Sequence, residues 1–302
     1  MSEVAVRPAM SNARLGVVLM LVGMLAFALN DAMGKWLVAS YSVGQVVLIR
    51  SIVAVLVLAP FLWQRGFSQQ VLKVERPWLQ FARVVFSTAE VFAFYYAVAF
   101  LPLADVMTYW LAAPIYVAAV SPFLLGEKVG WRRWTAIAIG FSGVVVALEP
   151  SSQALTPPAI VAILGSMAFA FMLVSGRTLR NTPDTTLVFW QIIGAGIAGL
   201  ASLPYHWQTP ELSDLPLIGL LGVVAMAAHM LVNRALKLAD AATVAPLQYT
   251  MLFWAIVFGA LFFGDVPRPM MLVGSVLIVF SGLFIFFREQ QLKRQQKGPS
   301  GR

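Results

Sequence analysis

A chain of 302 residues that is 60% hydrophobic and only 11% charged, with a mean hydropathy of +0.82, lies far from the roughly 25% charge of a soluble domain. It reads as a polytopic membrane protein, so the lipid bilayer is its first partner and the net charge of +8 reflects loop placement, with no nucleic-acid partner expected. There is no cysteine and there are two histidines, so disulfides and thiolate chemistry are excluded, and neither a metal site nor a cofactor is expected.

A membrane-crossing helix needs about 20 apolar residues. The apolar runs predict an all-α protein with ten such helices, at 15–36, 43–63, 78–100, 103–125, 131–148, 157–178, 184–203, 214–236, 241–263 and 269–287. Arg7 and Arg14 before the first run, with Ala26-Phe27-Ala28 as a cleavage-like triplet, imitate a signal peptide. The triplet recurs at Ala168-Phe169-Ala170, so it belongs to the fold and the first helix is retained. The linkers are short and rich in Pro, Gly and polar residues, as in Glu149-Pro150-Ser151-Ser152-Gln153. Beyond Arg288 the chain is polar and basic, which predicts a disordered tail.

The chain says one stretch twice. Leu101-Pro102-Leu103-Ala104-Asp105, an apolar run with Pro114, then Gly126-Glu127, returns as Leu236-Lys237-Leu238-Ala239-Asp240, a run with Pro246, then Gly264-Asp265. Each copy is followed by a helix closing on Phe-Ser-Gly, at Phe141-Ser142-Gly143 and Phe280-Ser281-Gly282. Upstream, Gly23, Ala26-Phe27-Ala28 and Gly34-Lys35 recur with identical spacing as Gly165, Ala168-Phe169-Ala170 and Gly176-Arg177. Ordered matches of glycines, acids and cations predict two homologous five-helix halves, 1–150 and 151–288, and a basic cytoplasmic tail, 289–302.

The cations divide unequally. With ten helices, 17 of the 21 Lys and Arg fall on the side of the termini, Lys35 and Arg268 fall on the other, and Arg50 and Arg83 lie within helices. The positive-inside rule then places both termini in the cytoplasm. Five helices per half is an odd number, so the halves enter the membrane in opposite senses. Such inverted repeats occur in secondary transporters, with the substrate site near the midplane where the halves meet. Helices 1–4 and 6–9 are expected to surround a central cavity, with 5 and 10 peripheral.

A small-residue first helix, "L-x-L-A-D", a proline-bearing helix, "G-E" and a helix ending "S-G" together resemble the EamA type of the drug/metabolite transporter superfamily. Ala245-Pro246-Leu247-Gln248-Tyr249-Thr250 and Phe262-Phe263-Gly264-Asp265-Val266-Pro267 share the likeness, with Asp265 standing where the family usually has Glu. The resemblance implies a ten-helix carrier of small metabolites in the cell inner membrane. It implies, commonly, export of amino acids or related compounds without ATP.

A charge inside the membrane costs about 2.5–3.5 kcal/mol on insertion scales and needs a reason. Arg83, Ser87, Glu90 and Phe94 lie on one face of the third helix. Glu90 reads either as an amine contact or proton carrier, or as a structural carboxyl paired with Arg83 or another helix. Arg50 reads as a seat for a substrate carboxylate or as a partner of Asp31. Asp31 and Lys35, four apart, read as a surface ion pair. His229, four before Asn233, is a packing residue or a second proton-coupling candidate beside Glu90. Tyr95, Tyr109, Trp110, Trp190 and Tyr249 offer aromatic walls, with Gln191 and Gln248 as hydrogen-bonding partners.

An intramembrane enzyme would need a concentrated set of nucleophiles or ligands, and a receptor would need no inverted repeat. No Gly-x4-Gly-Lys-Ser/Thr exists for ATP-driven transport. The reading is a secondary transporter, not an enzyme, exporting amino acids or amino-acid-derived compounds such as a metal-chelating metabolite by alternating access. A carrier of hydrophobic cations is the alternative, a non-transporting membrane protein such as an intramembrane enzyme is the reading from another class, and a homodimer is left open. The topology has a direct test in this cysteine-free chain: single cysteines replace Ser2, Ser152 and Ser300. In intact cells an impermeant maleimide should label position 152 only, and labelling at 2 or 300 before lysis would sink the orientation.

Overall fold

The computed structural model describes residues 8–64, 74, 76–124, 130–149, 156–179, 182–238 and 245–296. Among them every regular element is helical. The helices are α1 (Pro8–Val38), α2 (Val43–Gln64), α3 (Pro77–Phe100), α4 (Leu103–Leu111), α5 (Ala113–Leu124), α6 (Trp131–Leu148), α7 (Pro157–Thr178), α8 (Asp184–His206), α9 (Leu215–Leu238), α10 (Thr250–Phe258) and α11 (Pro269–Gln296). A 3-10 turn (Ala245–Tyr249) leads into α10 and a π turn (Gly259–Phe263) ends it. Eight helical stretches are long and apolar enough to cross a membrane, and Leu247–Phe263 is a shorter apolar one. The stretch 131–148 does not reach that threshold, since Arg132 and Arg133 open it. Gly126, Glu127, Ala239 and Asp240 of the repeated motif lie outside the described residues, as do the linker 150–155 and the tail from 297.

Proline chemistry sets the breaks. Leu101 is extended (φ −115, ψ 153) because Pro102 disfavours a helical residue before it, so α3 stops there. Pro102, with φ −54, then opens α4. The helix expected over 103–125 is divided at Ala112, because Pro114 cannot donate to the carbonyl of Trp110 and is tolerated only in a first turn. The helix expected over 241–263 is likewise not uniform, running as 3-10, α and π turns in succession. Contrary to the expected disorder after Arg288, α11 continues to Gln296, through Gln, Leu and Lys residues of good helix propensity.

The four most extensive helix contacts all join the two halves of the sequence: α1 with α9, α3 with α7, α2 with α8, and α6 with α11. In chain order, α1 and α3 thus pack on α9 and α7, α2 on α8 and α6 on α11, a pattern that maps onto itself when the two parts of the sequence are exchanged. Every residue of α4 is buried, which makes it the central element. Its Val106, Met107, Trp110 and Leu111 join the main core with Tyr95, Ile115, Ala162 and Ile278. Leu56, Trp78, Phe100, Phe123, Leu261 and Phe280 are left outward and exposed, as a lipid-facing surface requires.

Lipid tails are as apolar as leucine, so these helices hold together by close packing and polar contacts rather than by hydrophobic burial. The α6–α11 pair shows the packing: a Cβ on Gly143 would stand 2.9 Å from the Gly274 carbonyl, and one on Gly274 would meet Ala147 at 2.6 Å. The two backbones touch only because neither carries a side chain. Replacement of Gly143 by Leu should force the pair apart at a cost of about 1–3 kcal/mol. A thermal melt of the detergent-solubilised protein reads this, and an unchanged midpoint would show that the contact carries no stability.

Candidate functional site

Two polar regions stand out, one inside the bundle and one at the end where Lys35 lies. The inner one is built by α1, α2, α3 and α4. Arg50 Nη1 donates to the Tyr95 hydroxyl at 2.8 Å, and its guanidinium lies 5.6 Å from the centre of that ring. Trp110 Nε1 donates to Glu90 Oε1 at 2.9 Å. Phe94 stands edge-on to both rings, 5.6 Å from Tyr95 and 5.2 Å from Trp110, and fixes their spacing. Asn30 Nδ2 donates to Asp31 Oδ1 at 3.2 Å. Arg50 acts through space on both Asp31 and Glu90, yet among the described residues no ion pair joins it to either.

The expected Arg50–Asp31 pair therefore exists as an electrostatic neighbourhood rather than a contact. Nor is Arg83 the group that Glu90's hydrogen bond comes from: Arg83 lies two turns along α3 and donates to the Leu187 carbonyl at 3.4 Å. Of the other residues singled out in the sequence, Tyr109 lies beside Arg268 and Asp105, toward the Lys35 end. Tyr249 places its hydroxyl against Gly282. Trp190 stacks edge-on with Phe189, 5.7 Å between centres. Gln191 is half-buried on α8, and Gln248 is exposed. His229 packs on Phe27 at 4.8 Å, as a packing histidine would. The side chain of Asn233 lies outside the described set. Arg50, Glu90, Tyr95 and Trp110 are thus brought together, while the remaining candidates are distributed over other contacts.

The second region was missed by sequence reasoning, which read Lys35 as the surface partner of Asp31. In the structure Lys35 Nζ reaches Asp265 Oδ2 at 2.6 Å and the Leu101 carbonyl at 3.2 Å, and it sits 4.6 Å from the centre of the Phe263 ring. Asp31 is buried one turn away and takes its hydrogen bond from Asn30 instead. The same Asp265 oxygen accepts the backbone N–H of Leu103 at 3.1 Å, an anion at the start of α4. Gly264 makes this turn, with φ +67, a conformation that glycine adopts without penalty. The shorter acid at 265 is therefore a full partner.

Three further contacts follow the same pattern. Arg268 Nη2 donates to Asp105 Oδ2 at 2.8 Å, and its Nη1 to Glu149 Oε2 at 3.1 Å. Glu149 is held at φ +47, a left-handed conformation that costs a non-glycine residue roughly 1 kcal/mol. Tyr41 donates to Asp214 Oδ2 at 2.5 Å and accepts from the Glu211 N–H. The hydrogen bond to the Asp214 carboxylate raises the Tyr41 hydroxyl above its ordinary value, so it remains a donor through the physiological range. Gln45 exchanges two hydrogen bonds with the backbone of Gln208, at 2.6 and 3.1 Å. Apart from the Lys35 hydrogen bond to Leu101, every one of these side-chain contacts crosses from the first half to the second, which makes the Lys35 end a latch.

Asp105 is nearly fully buried, so loss of Arg268 leaves a carboxylate without its partner, at a cost nearer the 1.5–3 kcal/mol of charged hydrogen bonds than the surface figure of about 0.2–1. Combined Lys35→Met and Arg268→Met substitution should loosen this end. A cysteine placed at Thr108, fully buried one turn below Asp105, should then react with an impermeant maleimide roughly tenfold faster, the equivalent of about 1.4 kcal/mol. An unchanged rate would show that these pairs do not hold the end closed.

The chain was compared with known proteins. It is 24% identical over 284 residues to an S-adenosylmethionine uptake transporter of Rickettsia bellii, an alignment covering 94% of this chain and 97% of the relative. It is 27% identical over 298 residues to a riboflavin transporter of Rhizobium johnstonii, covering 97% of each. A riboflavin transporter of Vibrio cholerae is 26% identical, with 93% of this chain and 96% of the relative covered. A solved crystal structure shares the fold, with a TM-score of 0.63 at 16% identity over 92% of this chain and 97% of that one. The model of the EamA-like transporter family matches twice, at residues 14–148 and 156–287. The chain belongs to the EamA-like transporter family: it is a multi-pass membrane protein, a transporter and not an enzyme.

Proposed function

We propose that this transporter is a secondary carrier of amino-acid-derived small metabolites, working by alternating access between two inverted five-helix halves. The cation asymmetry supports ten spans with both termini in the cytoplasm, and the family resemblance supports the cell inner membrane. Two family-model matches and a set of helix contacts that maps onto itself when the halves are exchanged support the repeat. Arg50, Glu90, Tyr95 and Trp110 are the proposed substrate contacts, with a carboxylate on Arg50 and an amine near Glu90.

The observation that carries this reading is the inner cluster itself. An arginine beside two carboxylates inside an apolar bundle is expensive, and among the described residues Arg50 spends one of its five N–H donors on a protein partner, Tyr95. The unused donors match the two parallel hydrogen bonds of a carboxylate. The relatives named for S-adenosylmethionine transport support the amino-acid-derived class, since that compound carries an amino-acid head group. Export is the direction that the family resemblance implies, whereas those relatives are named for uptake. A carrier without a nucleotide site follows the combined gradients of its substrates, so both directions belong to one mechanism. Opening the Lys35 end would require the inter-half latch to release, and that is the proposed gating step.

Counterflow in proteoliposomes is the test. Vesicles preloaded with unlabelled amino acids or S-adenosylmethionine should accumulate labelled compound transiently. Arg50→Ala should weaken apparent affinity at least about tenfold, the equivalent of 1.4 kcal/mol. Absence of counterflow with every amino-acid-bearing compound, alongside robust counterflow of riboflavin or of hydrophobic cations, would overturn the amino-acid reading.

A further inference from the structure

Asp31 stands outside the contacts proposed so far, although it lies within the field of Arg50. It is buried: Asn30 donates to it, and Arg50 of α2 and Glu90 of α3 act on it through space. With both acids ionised, the cluster holds two negative charges against the one positive charge of Arg50. The other charged or titratable groups around it are committed elsewhere or neutral in role. Lys35, one turn along α1, is held by Asp265; Tyr95 takes a hydrogen bond from Arg50; His229 on α9 is stacked on Phe27; and Arg83 donates to the Leu187 carbonyl.

A second observation points the same way. The side-chain oxygen Oδ1 of Asn30 has no donor in good hydrogen-bond geometry, although the Tyr95 hydroxyl lies beside the same amide, and the residue is only 3% exposed. A buried acceptor left without a donor costs about 1–3 kcal/mol. Neither the second oxygen of Asp31 nor that of Glu90 takes a donor among the described contacts. The acids and Asn30 thus hold acceptors, and Arg50 holds donors, that take no partner among the described contacts; these two sets are the walls of the proposed site.

We propose that Asp31 and Asn30 form the seat for the substrate's ammonium group, and that the site is one positive charge short, so that it selects an amino-acid derivative of one net positive charge over a neutral analogue. This rests on the amino-acid reading above and refines it: the amine moves from Glu90 to Asp31 and Asn30, and Glu90 is the second acid of the site. An α-amino-acid head group satisfies both walls but brings no net charge, since its carboxylate and ammonium cancel. The remaining deficit, costly inside a bundle, is met by a further cationic centre on the substrate. In the empty site a proton on one of the two carboxylates meets it instead. When the cationic substrate enters, that proton leaves to solvent, and the charge inside the membrane is unchanged.

S-adenosylmethionine and S-adenosylhomocysteine are the probes, because they differ by one methyl group and the sulfonium charge it creates. Equilibrium binding to the purified full chain in lipid nanodiscs should favour the sulfonium compound about tenfold. Asp31→Asn should remove most of that preference, and Asn30→Ala should weaken both ligands alike by removing an ammonium acceptor. Infrared spectra of the ligand-free protein at neutral pH should contain a protonated-carboxyl band that Asp31→Asn or Glu90→Gln abolishes and that saturating S-adenosylmethionine bleaches in the wild type. Equal affinities for the two probes, or two ionised carboxylates in the empty protein, would overturn the proposal. If neither probe binds, the infrared arm still decides the charge deficit, and only the amino-acid reading falls.

Discussion

Arg268 is what allows Asp105 to exist where it does. Asp105 opens a helix with no exposed residue, at the centre of a bundle whose surroundings cannot solvate a carboxylate. The guanidinium reaches it from the chain segment just before α11, while also holding Glu149 and the Ala147 carbonyl. One half-exposed side chain thus ties the start of the central helix to the end of α6. The second anchor is Asp265, which caps the start of α4 and neutralises Lys35 with the same oxygen. The central helix is therefore suspended, at one end, from two residues of the opposite half.

This arrangement follows from what a bilayer withholds. Apolar surface gains nothing by leaving lipid for protein, so contacts between helices must come from close backbone approach and from polar groups that have no better partner. The chain supplies both, in separate places. Small residues let α6 and α11 meet along Gly143 and Gly274. Polar residues join the halves at the Lys35 end, where Asp265 and Arg268 are partly exposed. A contact built from ion pairs near water can be broken and remade at modest cost, whereas a close-packed glycine seam resists separation. The division suits a molecule in which some helix pairs stay together and others must part.

Much of the fold was legible because its signals are long-range in sequence. Helix placement followed from apolar runs, and the two-half reading from glycines and acids in register, since both survive without knowledge of contacts. What was not legible depended on choice between neighbours. Lys35 has Asp31 one turn below it, and spacing alone favours that pair. The structure gives Lys35 to Asp265, 230 positions away, because the turn at Gly264 carries the carboxylate to it. The Arg50–Tyr95 and Glu90–Trp110 pairs were within reach of the candidate list but not of any rule of spacing, since they join α2 to α3 and α3 to α4. Pro114 was visible, yet whether it would kink or divide its helix depended on the buried position of α4.

The repetition in the sequence separates gating from recognition. Of the latch residues, Lys35, Asp105 and Asp265 are among those the chain says twice, with Arg177, Asp240 and Glu127 in the matching positions, whereas Gly130 stands opposite Arg268. The inner cluster is not repeated. Asp31 falls opposite Leu173 in the register that aligns Gly34 with Gly176, and Asp31, Arg50, Glu90, Tyr95 and Trp110 all come from the first half. A two-fold scaffold needs equivalent charges at its two ends if its halves are to exchange conformations. Recognition of an asymmetric small molecule needs no such equivalence, and a second set of buried charges would double the desolvation cost for one substrate. Partial duplication of the ends without duplication of the interior is what the proposed carrier, with two halves exchanging conformations around one site, requires.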